Sequence, residues 1–131
     1  MMRTSIRATQ LGLCTLIVGA LLLVGSIAQA QANPALVSRG KSLFTSRGCT
    51  GCHSIGKGKQ AGPDLLGVTD RRSVDWLKRW LHAPESMYDS DSIAKGLLAD
   101  AKGIKMPNLR LNDADIDALI SYLAAESQKK H

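Results

Sequence analysis

Residues 49–53 read CTGCH, two cysteines three positions apart with a histidine directly after the second. Cys49, Cys52 and His53 thus offer two thiols and one imidazole in a short stretch. Three kinds of site use such a set: a redox-active dithiol, one corner of a zinc site, and the covalent attachment site of a c-type haem. Five residues cannot distinguish them, so the rest of the chain has to.

The start of the 131-residue chain has the pattern of a secretory signal peptide. Residues 1–10 contain two arginines and no acidic residue, and residues 11–28 carry no charge. The small-x-small triplet AQA follows at residues 28–30, so we expect cleavage after residue 30. The alternative is an uncleaved membrane anchor, because 18 uncharged residues are at the short limit for spanning a bilayer. The predicted mature domain covers residues 31–131.

The charge of the chain is basic and unevenly distributed. The formal net charge is +6, and residues 31–82 hold nine Lys and Arg against three Asp and Glu, whereas residues 83–131 hold six against eight. A basic surface suits an acidic partner protein, a nucleic acid or an anionic membrane, or is simply well solvated. An exported protein rarely meets nucleic acid, so we expect no nucleic-acid partner, and a membrane contact only if the leader is kept.

Helix signals recur along the mature chain, and strand signals are nearly absent. We predict four helices, over residues 33–48, 73–81, 91–103 and 112–130. The last of these predictions rests on Asn112, which suits an N-cap, and on the apolar stripe with helical spacing that follows it. The intervening residues 54–68 are rich in glycine, and residues 104–111 contain a proline, so both are expected to be irregular. The predicted fold class is all-α, with about four helices joined by long loops.

This pattern argues against two of the three sites. A thioredoxin-like dithiol requires a neighbouring βαβ unit, and a structural zinc site requires four ligands. The only other histidines are His82, expected at the exposed end of a helix, and His131, the last residue. Covalent haem attachment fits better, because two thiols at this spacing can add to the two vinyl groups of one porphyrin edge while His53 turns onto the iron. One covalent haem c is therefore predicted.

The second axial ligand has two candidates in the mature chain. A methionine opposite the histidine raises the reduction potential, whereas an open position admits substrates or gases. Met87 lies between two predicted helices, and Met106 lies in a strip that Pro107 keeps extended. The extended backbone favours Met106, and a place in the core or on the surface is the alternative for either methionine.

The mature chain resembles the bacterial class I monohaem cytochromes c over nearly its whole length. The matching segments, in order, are GKSLF, CTGCH, GPDLLGV, KMPNL and ALISYLA. The resemblance implies that Cys49 and Cys52 form the thioether bonds. It implies that His53 and Met106 are the iron ligands, and that the Pro63 carbonyl accepts a hydrogen bond from the His53 ring.

The resemblance also implies contacts away from the iron. Gly40 and Phe44 would pack against the C-terminal helix near Tyr122. The stretch GVTDRRSVDWLKRWL, residues 67–81, resembles a subgroup in which an arginine or tryptophan contacts a haem propionate. The candidates here are Arg71, Arg72 and Trp76, with solvated surface or core packing as their alternatives. The expected lining of the haem pocket is Leu65, Leu66, Ile104 and Leu109.

An iron with six ligands has no position for a substrate, so we expect an electron carrier rather than an enzyme. It would be a periplasmic monomer whose redox partner proteins dock at a basic face around the exposed haem edge. One alternative is a haem module of a larger respiratory oxidoreductase or assembly complex. Another is a haem enzyme or gas sensor in which the methionine leaves the iron.

Overall fold

The computed structural model describes residues 33–129. The predicted signal peptide and its cleavage site lie outside the described residues. Five α-helices and two short 3-10 turns (Cys49–Gly51 and Pro84–Ser86) make up the regular structure of the described chain, which contains no strand. The helices are α1 Pro34–Ser46, α2 Val68–Arg71, α3 Val74–His82, α4 Ser92–Asp100 and α5 Asp113–Ser127. The all-α class and the four predicted helices are confirmed, and within residues 33–129 no helix has the length and apolar character to cross a membrane.

The two longest helices, α1 and α5, pack against each other at a glycine. A Cβ atom at Gly40 would lie 2.6 Å from Cβ of Tyr122 and closer still to the carbonyl oxygen of Ala118. Only a residue without a side chain permits this approach. The Phe44 ring lies 5.7 Å from the Tyr122 ring, centroid to centroid. The expected packing of Gly40 and Phe44 near Tyr122 is confirmed.

An ion pair holds the same two helices together near the start of α5. Asp115 is 4% exposed and accepts a hydrogen bond from Nη2 of Arg39 at 2.6 Å. Arg47 lies farther from the same carboxylate, at 3.5 Å. The Asn112 side chain accepts from the Asp115 backbone N–H at 2.9 Å, which is the predicted N-cap. A buried carboxylate with charged partners ties the N-terminal helix to the C-terminal one.

Helices α3 and α4 begin at side-chain caps and place apolar residues inward. Ser73 accepts from the backbone N–H of Trp76, and Asp91 accepts from the first N–H groups of α4. Helix α3 ends at His82, whose side chain is exposed as expected. Ala83 and Pro84 follow, and proline restricts the residue before it to non-helical backbone.

The observed helices differ from the predicted ones mainly at their ends. The sequence prediction omitted α2, since a helix of four residues is too short to show a periodic apolar face. Helix α4 ends at Asp100 rather than Gly103, and a turn covers the last three residues. Helix α5 ends at Ser127, short of the predicted end at residue 130.

Candidate haem-binding site

All five helices contribute residues to one large apolar cavity of about 260 Å³. The wall includes Phe44 of α1, Val68 of α2, Leu77 of α3, Leu97 of α4 and Leu119 of α5. Of the four predicted lining residues, Leu65, Ile104 and Leu109 line the cavity, and Leu66 does not. The backbone of Leu66 is instead bonded to its own loop, through its N–H to Asp64 and its carbonyl to Arg71.

The CTGCH segment lies at this cavity and forms a tight turn. The 3-10 turn Cys49–Gly51 follows α1, and the His53 backbone N–H donates to the Cys49 carbonyl at 2.9 Å. Cys49 is half-buried and Cys52 is exposed, and both line the cavity with His53. Burial raises the pKa of the Cys49 thiol above its ordinary value.

The His53 ring is oriented by the loop that follows it. Its Nδ1 lies 2.9 Å from the carbonyl oxygen of Pro63. A carbonyl oxygen can only accept, so Nδ1 carries the proton and the lone pair of Nε2 is left for a metal. Gly62 passes close to the ring, since a Cβ atom there would lie 2.7 Å from His53 Nδ1. The loop therefore fixes both the tautomer and the position of the imidazole.

Asp64 gives this loop its shape. Its carboxylate accepts four hydrogen bonds of 2.6–3.0 Å from within the loop, from the backbone N–H groups of Gly56, Gly58 and Leu66 and the hydroxyl of Ser54. Donation from the Gly56 and Leu66 N–H groups, more than any other contact, holds the pKa of Asp64 well below its ordinary value. Because Pro63 directly precedes Asp64, the bonds that fix the carboxylate also fix the carbonyl that His53 contacts.

The structure brings Met106, and not Met87, into the cavity with His53. Met106 is partly buried in the irregular strip 104–111 and lines the cavity. Its backbone N–H donates to the Tyr88 hydroxyl at 2.8 Å, and its Sδ lies 3.2 Å from Nε1 of Trp80. Met87 is 6% exposed in the core and lines a separate surface groove.

The three residues considered for a propionate contact all line the cavity, but each has other partners. Arg71 donates to the backbone carbonyls of Asp64 and Leu66. The Arg72 guanidinium lies 5.8 Å from the centroid of the Trp76 ring. Trp76 is 7% exposed, and its indole N–H donates to Asp91 at 3.0 Å, so its one side-chain donor is used within the fold.

Sequence reasoning missed four residues that shape the site: Gly62, Asp64, Trp80 and Tyr88. Gly62 and Pro63 form a Gly-Pro pair that indicates a loop, and this signal does not reveal how close the loop comes to a histidine. The contacts of Met106 with Tyr88 and Trp80 join residues 18 and 26 positions apart. No local pattern reports such pairs.

The cavity has the chemistry that a covalent haem requires. Two thiols and an imidazole with a free lone pair lie at its wall, together with a thioether and a large apolar surface. Its lining also includes four cationic side chains against one acidic one, Asp64. Those cations, suited to the carboxylates of a porphyrin, are Arg47, Arg71, Arg72 and Lys105. Fold and site together define a small all-helical domain built for one covalently attached haem.

Comparison with known proteins identifies the family. The family model described as cytochrome c matches residues 37–126, so the chain belongs to the cytochrome c family. It is 28% identical to a cytochrome c from Rhodothermus marinus, covering 75% of this chain and 82% of that one with a TM-score of 0.70. It is 42% identical to the cytochrome c domain of pp3183 protein from Pseudomonas putida, covering 67% and 87% with a TM-score of 0.59.

An engineered cytochrome c from Rhodothermus marinus bound to a carbene intermediate (1-ethoxy-1-oxopropan-2-ylidene) is also similar. It is 26% identical, covers 76% of this chain and 84% of that one, and has a TM-score of 0.68. No curated protein matches the chain. Membership of the family establishes a haem-binding electron-transfer cytochrome, and its cofactor is a covalent haem c.

Proposed function

We propose that the chain is an exported carrier of single electrons whose haem c is attached through Cys49 and Cys52 and bound by His53 and Met106. One observation carries this proposal. An imidazole with a fixed tautomer lines the same apolar cavity as a methionine that is held by two hydrogen bonds, one to its sulfur and one from its backbone N–H. Histidine with methionine is the ligand pair of electron-transfer cytochromes c.

The residues around the cavity have three tasks in electron transfer. The Pro63 carbonyl holds the His53 ring and, by accepting a hydrogen bond from its Nδ1–H, makes Nε2 a better ligand. Met106 supplies a neutral sulfur, which favours the reduced state and raises the potential. The apolar wall excludes water, so little solvent has to rearrange when the charge changes. The haem, when bound, supplies one-electron cycling between ferrous and ferric iron.

We further propose that redox partners dock at the cationic side of the cavity. Arg47, Arg71 and Lys105 line the cavity and are exposed, and Cys52 is exposed at the same site. An acidic surface on a partner would be attracted to this region and oriented by it. Such contacts are small and short-lived, as rapid turnover requires. A monomer is sufficient for this role.

Export to the periplasm is the part of the proposal that rests on the first thirty residues. Covalent attachment suits an exported protein, because its cofactor cannot be lost by dilution. The intact mass of purified protein from a two-membrane bacterium tests it. Loss of residues 1–30 and the gain of one haem are expected, and a full-length mass would mean that the leader is kept as an anchor.

A second candidate function is that of a haem module in a larger respiratory oxidoreductase or assembly complex. The match to a domain of pp3183 protein supports it, since that structure is described as one domain of its protein. Copurification of the chain with a partner under mild detergent favours this role. Recovery of the chain alone, with rapid electron exchange, favours the free carrier.

The proposed ligand is tested by replacing Met106 with alanine. Covalent haem should remain, because neither Cys49 nor Cys52 is altered, but the reduction potential should fall and the ferric iron should admit imidazole. The weak absorption band at the red end of the ferric spectrum, which reports a methionine–iron bond, should disappear.

The matched control is Met87→Leu, which alters the other candidate without touching the cavity. This variant should keep the potential and the red absorption band. An unchanged potential and spectrum in Met106→Ala, with changes in Met87→Leu, would contradict the proposal. Imidazole binding also tests the alternative of a haem enzyme or gas sensor. If the wild-type protein binds imidazole as readily as Met106→Ala does, it has no stable methionine ligand, and that alternative is favoured.

A further inference from the structure

An aromatic cluster, formed by Trp76, Trp80 and Tyr88, stands beside the strip that carries Met106. Trp76 and Trp80 are stacked, with ring centroids 5.3 Å apart and an interplanar angle of 13°. Tyr88 meets the Trp80 ring edge-on, with centroids 5.4 Å apart and planes at 78°. The Trp80 ring is therefore packed against two neighbours of different orientation, which fixes the direction of its indole N–H.

The aromatic cluster is anchored in the core independently of the strip. Trp76 and Tyr88 are 7% and 5% exposed. The indole N–H of Trp76 donates to Oδ2 of Asp91, whose other oxygen caps α4 by accepting from Ile93 and Ala94. The position of Trp76 is thus fixed by α3 and by the start of α4. The strip with Met106 packs against a cluster whose position does not depend on the strip.

Met106 is held by the aromatic cluster at two points. Its backbone N–H donates to the Tyr88 hydroxyl at 2.8 Å, and its Sδ accepts from the Trp80 indole N–H at 3.2 Å. Methionine has three rotatable side-chain bonds, and its sulfur is a weak acceptor that usually has no fixed partner. Because residues 104–111 belong to no helix, these two bonds define where the sulfur lies.

We propose that Trp80 is a positioning residue for the distal ligand, with its indole N–H holding the Met106 sulfur in the cavity and withdrawing electron density from it. This rests on the proposed function, in which Met106 binds the iron. A thioether sulfur has two lone pairs, so one can accept from Trp80 while the other binds a metal.

Two effects follow from this hydrogen bond. A sulfur that is already oriented loses less conformational entropy on binding, so competing ligands displace it less readily. A sulfur that accepts a hydrogen bond is a weaker electron donor, which favours ferrous over ferric iron. Trp80 therefore protects the ligand from exchange and raises the reduction potential, although it does not touch the iron.

The test is Trp80→Phe in the haem-loaded protein, since phenylalanine keeps an aromatic ring at the stack while it removes the N–H donor together with part of the indole ring. Loss of one ordinary hydrogen bond should make imidazole bind the ferric protein about fivefold more tightly. The reduction potential should fall, and the red absorption band that reports the methionine–iron bond should shift or weaken.

Two variants separate this role from general destabilisation. Trp76→Phe removes the neighbouring indole N–H, which bonds to Asp91 and not to the sulfur, so it should lower stability but change imidazole affinity and potential clearly less than Trp80→Phe does. Tyr88→Phe releases the Met106 backbone and should raise imidazole affinity without lowering the potential as Trp80→Phe does. If Trp80→Phe does not fold, Trp80→Leu takes its place, since leucine also lacks the donor, and wild-type imidazole affinity and potential in that variant would overturn the inference.

The outcomes distinguish this inference from the function on which it rests. If Met106→Ala changes affinity and potential but Trp80→Phe changes neither, Met106 is the ligand and the positioning role of Trp80 is wrong. Equal losses in Trp76→Phe and Trp80→Phe would also overturn it, because the effect would then come from packing. If Met106→Ala itself changes nothing, the proposed ligation fails and the inference fails with it.

Discussion

Gly62 and the His53 ring are in contact so close that no other amino acid fits. The ring lies against the glycine because the Pro63 carbonyl must reach Nδ1 at 2.9 Å. A side chain at position 62 would separate these two atoms. The site therefore depends on the absence of a methyl group as much as on the presence of a ligand.

For this single residue, we predict that Gly62→Ala distorts the haem-binding site. The added Cβ would lie 2.7 Å from Nδ1, so the ring or the loop has to move, at a cost of about 1–3 kcal/mol in free energy of unfolding. Denaturant unfolding and the ferric visible spectrum measure the two consequences. The control is Gly96→Ala in α4, where a Cβ would meet no atom within 4 Å and should be neutral or stabilising. Equal stability of the two variants would contradict the prediction.

The individual site residues differ in how far the sequence revealed them. Cys49, Cys52 and His53 are adjacent in sequence because one porphyrin edge and its iron have to be reached from a single turn, so their pattern is local. Pro63 came from the resemblance alone, whereas Met106 was favoured by its extended strip and then by the resemblance. The Pro63 carbonyl contacts the His53 ring, and Met106 lines the cavity. Trp80 and Tyr88 act through tertiary contacts, which no sequence period encodes.

Among the elements, the loop between the 3-10 turn and α2 has no regular structure and yet is well defined. A helix or strand is ordered by regular backbone hydrogen bonds. In this loop the Asp64 carboxylate provides the order instead, by accepting four hydrogen bonds from donors of the same loop. Arg71 adds donors to two loop carbonyls from the end of α2. The sequence predicted irregular backbone here correctly, but glycine content does not reveal the hydrogen bonds that order it.

We predict that Asp64→Asn destabilises the protein in a pH-dependent way. Hydrogen bonds lower the pKa of Asp64 in the folded state, so its contribution to stability is present above the unfolded pKa and is lost as the pH falls through the folded one. At pH 7 the variant should lose roughly 2 kcal/mol of unfolding free energy, since the remaining oxygen is neutral and the amide nitrogen cannot accept the hydrogen bonds made by the second carboxylate oxygen. The difference should shrink below about pH 4, where the unfolded carboxyl is protonated.

Denaturant unfolding at neutral and acid pH measures this change. The control is Asp70→Asn on the exposed side of α2, which removes a charge near the same loop without removing these hydrogen bonds. It should be close to wild type at both pH values. A stability loss in Asp64→Asn that is the same at pH 7 and at low pH would show that the ionised carboxylate is not what orders the loop.

The molecule as a whole has an asymmetric charge, with its cations concentrated in the half of the sequence that carries the attachment motif. Four of them line the cavity from separate parts of the fold. Composition correctly indicated a basic protein, but only the fold shows that Lys105, from the acidic half of the chain, joins Arg47, Arg71 and Arg72 at one site. Charge counted along a sequence does not report which cations share a face.

We predict that this charge accelerates reaction with anions. Oxidation of the reduced protein by ferricyanide should slow as ionic strength rises. At low salt, Arg72→Gln should lower the rate about twofold, because one of the four cations at the cavity is removed. Stopped-flow absorbance measures the rate, and reduction potentials of the variants correct it for driving force. Lys95→Gln is the control, since this exposed lysine of α4 does not line the cavity, and an equal effect there would mean that only net charge matters.

The contact between the first and last helices has a consequence for biogenesis. Arg39 and Asp115 are 76 positions apart, so the core around Gly40 cannot close until almost the whole polypeptide has been made. The CTGCH segment follows α1 directly and emerges from the ribosome long before α5. Before α5 is in place the cavity lacks one of its walls, so the attachment cysteines stay open to haem addition, and burial of the cofactor comes with the final helix.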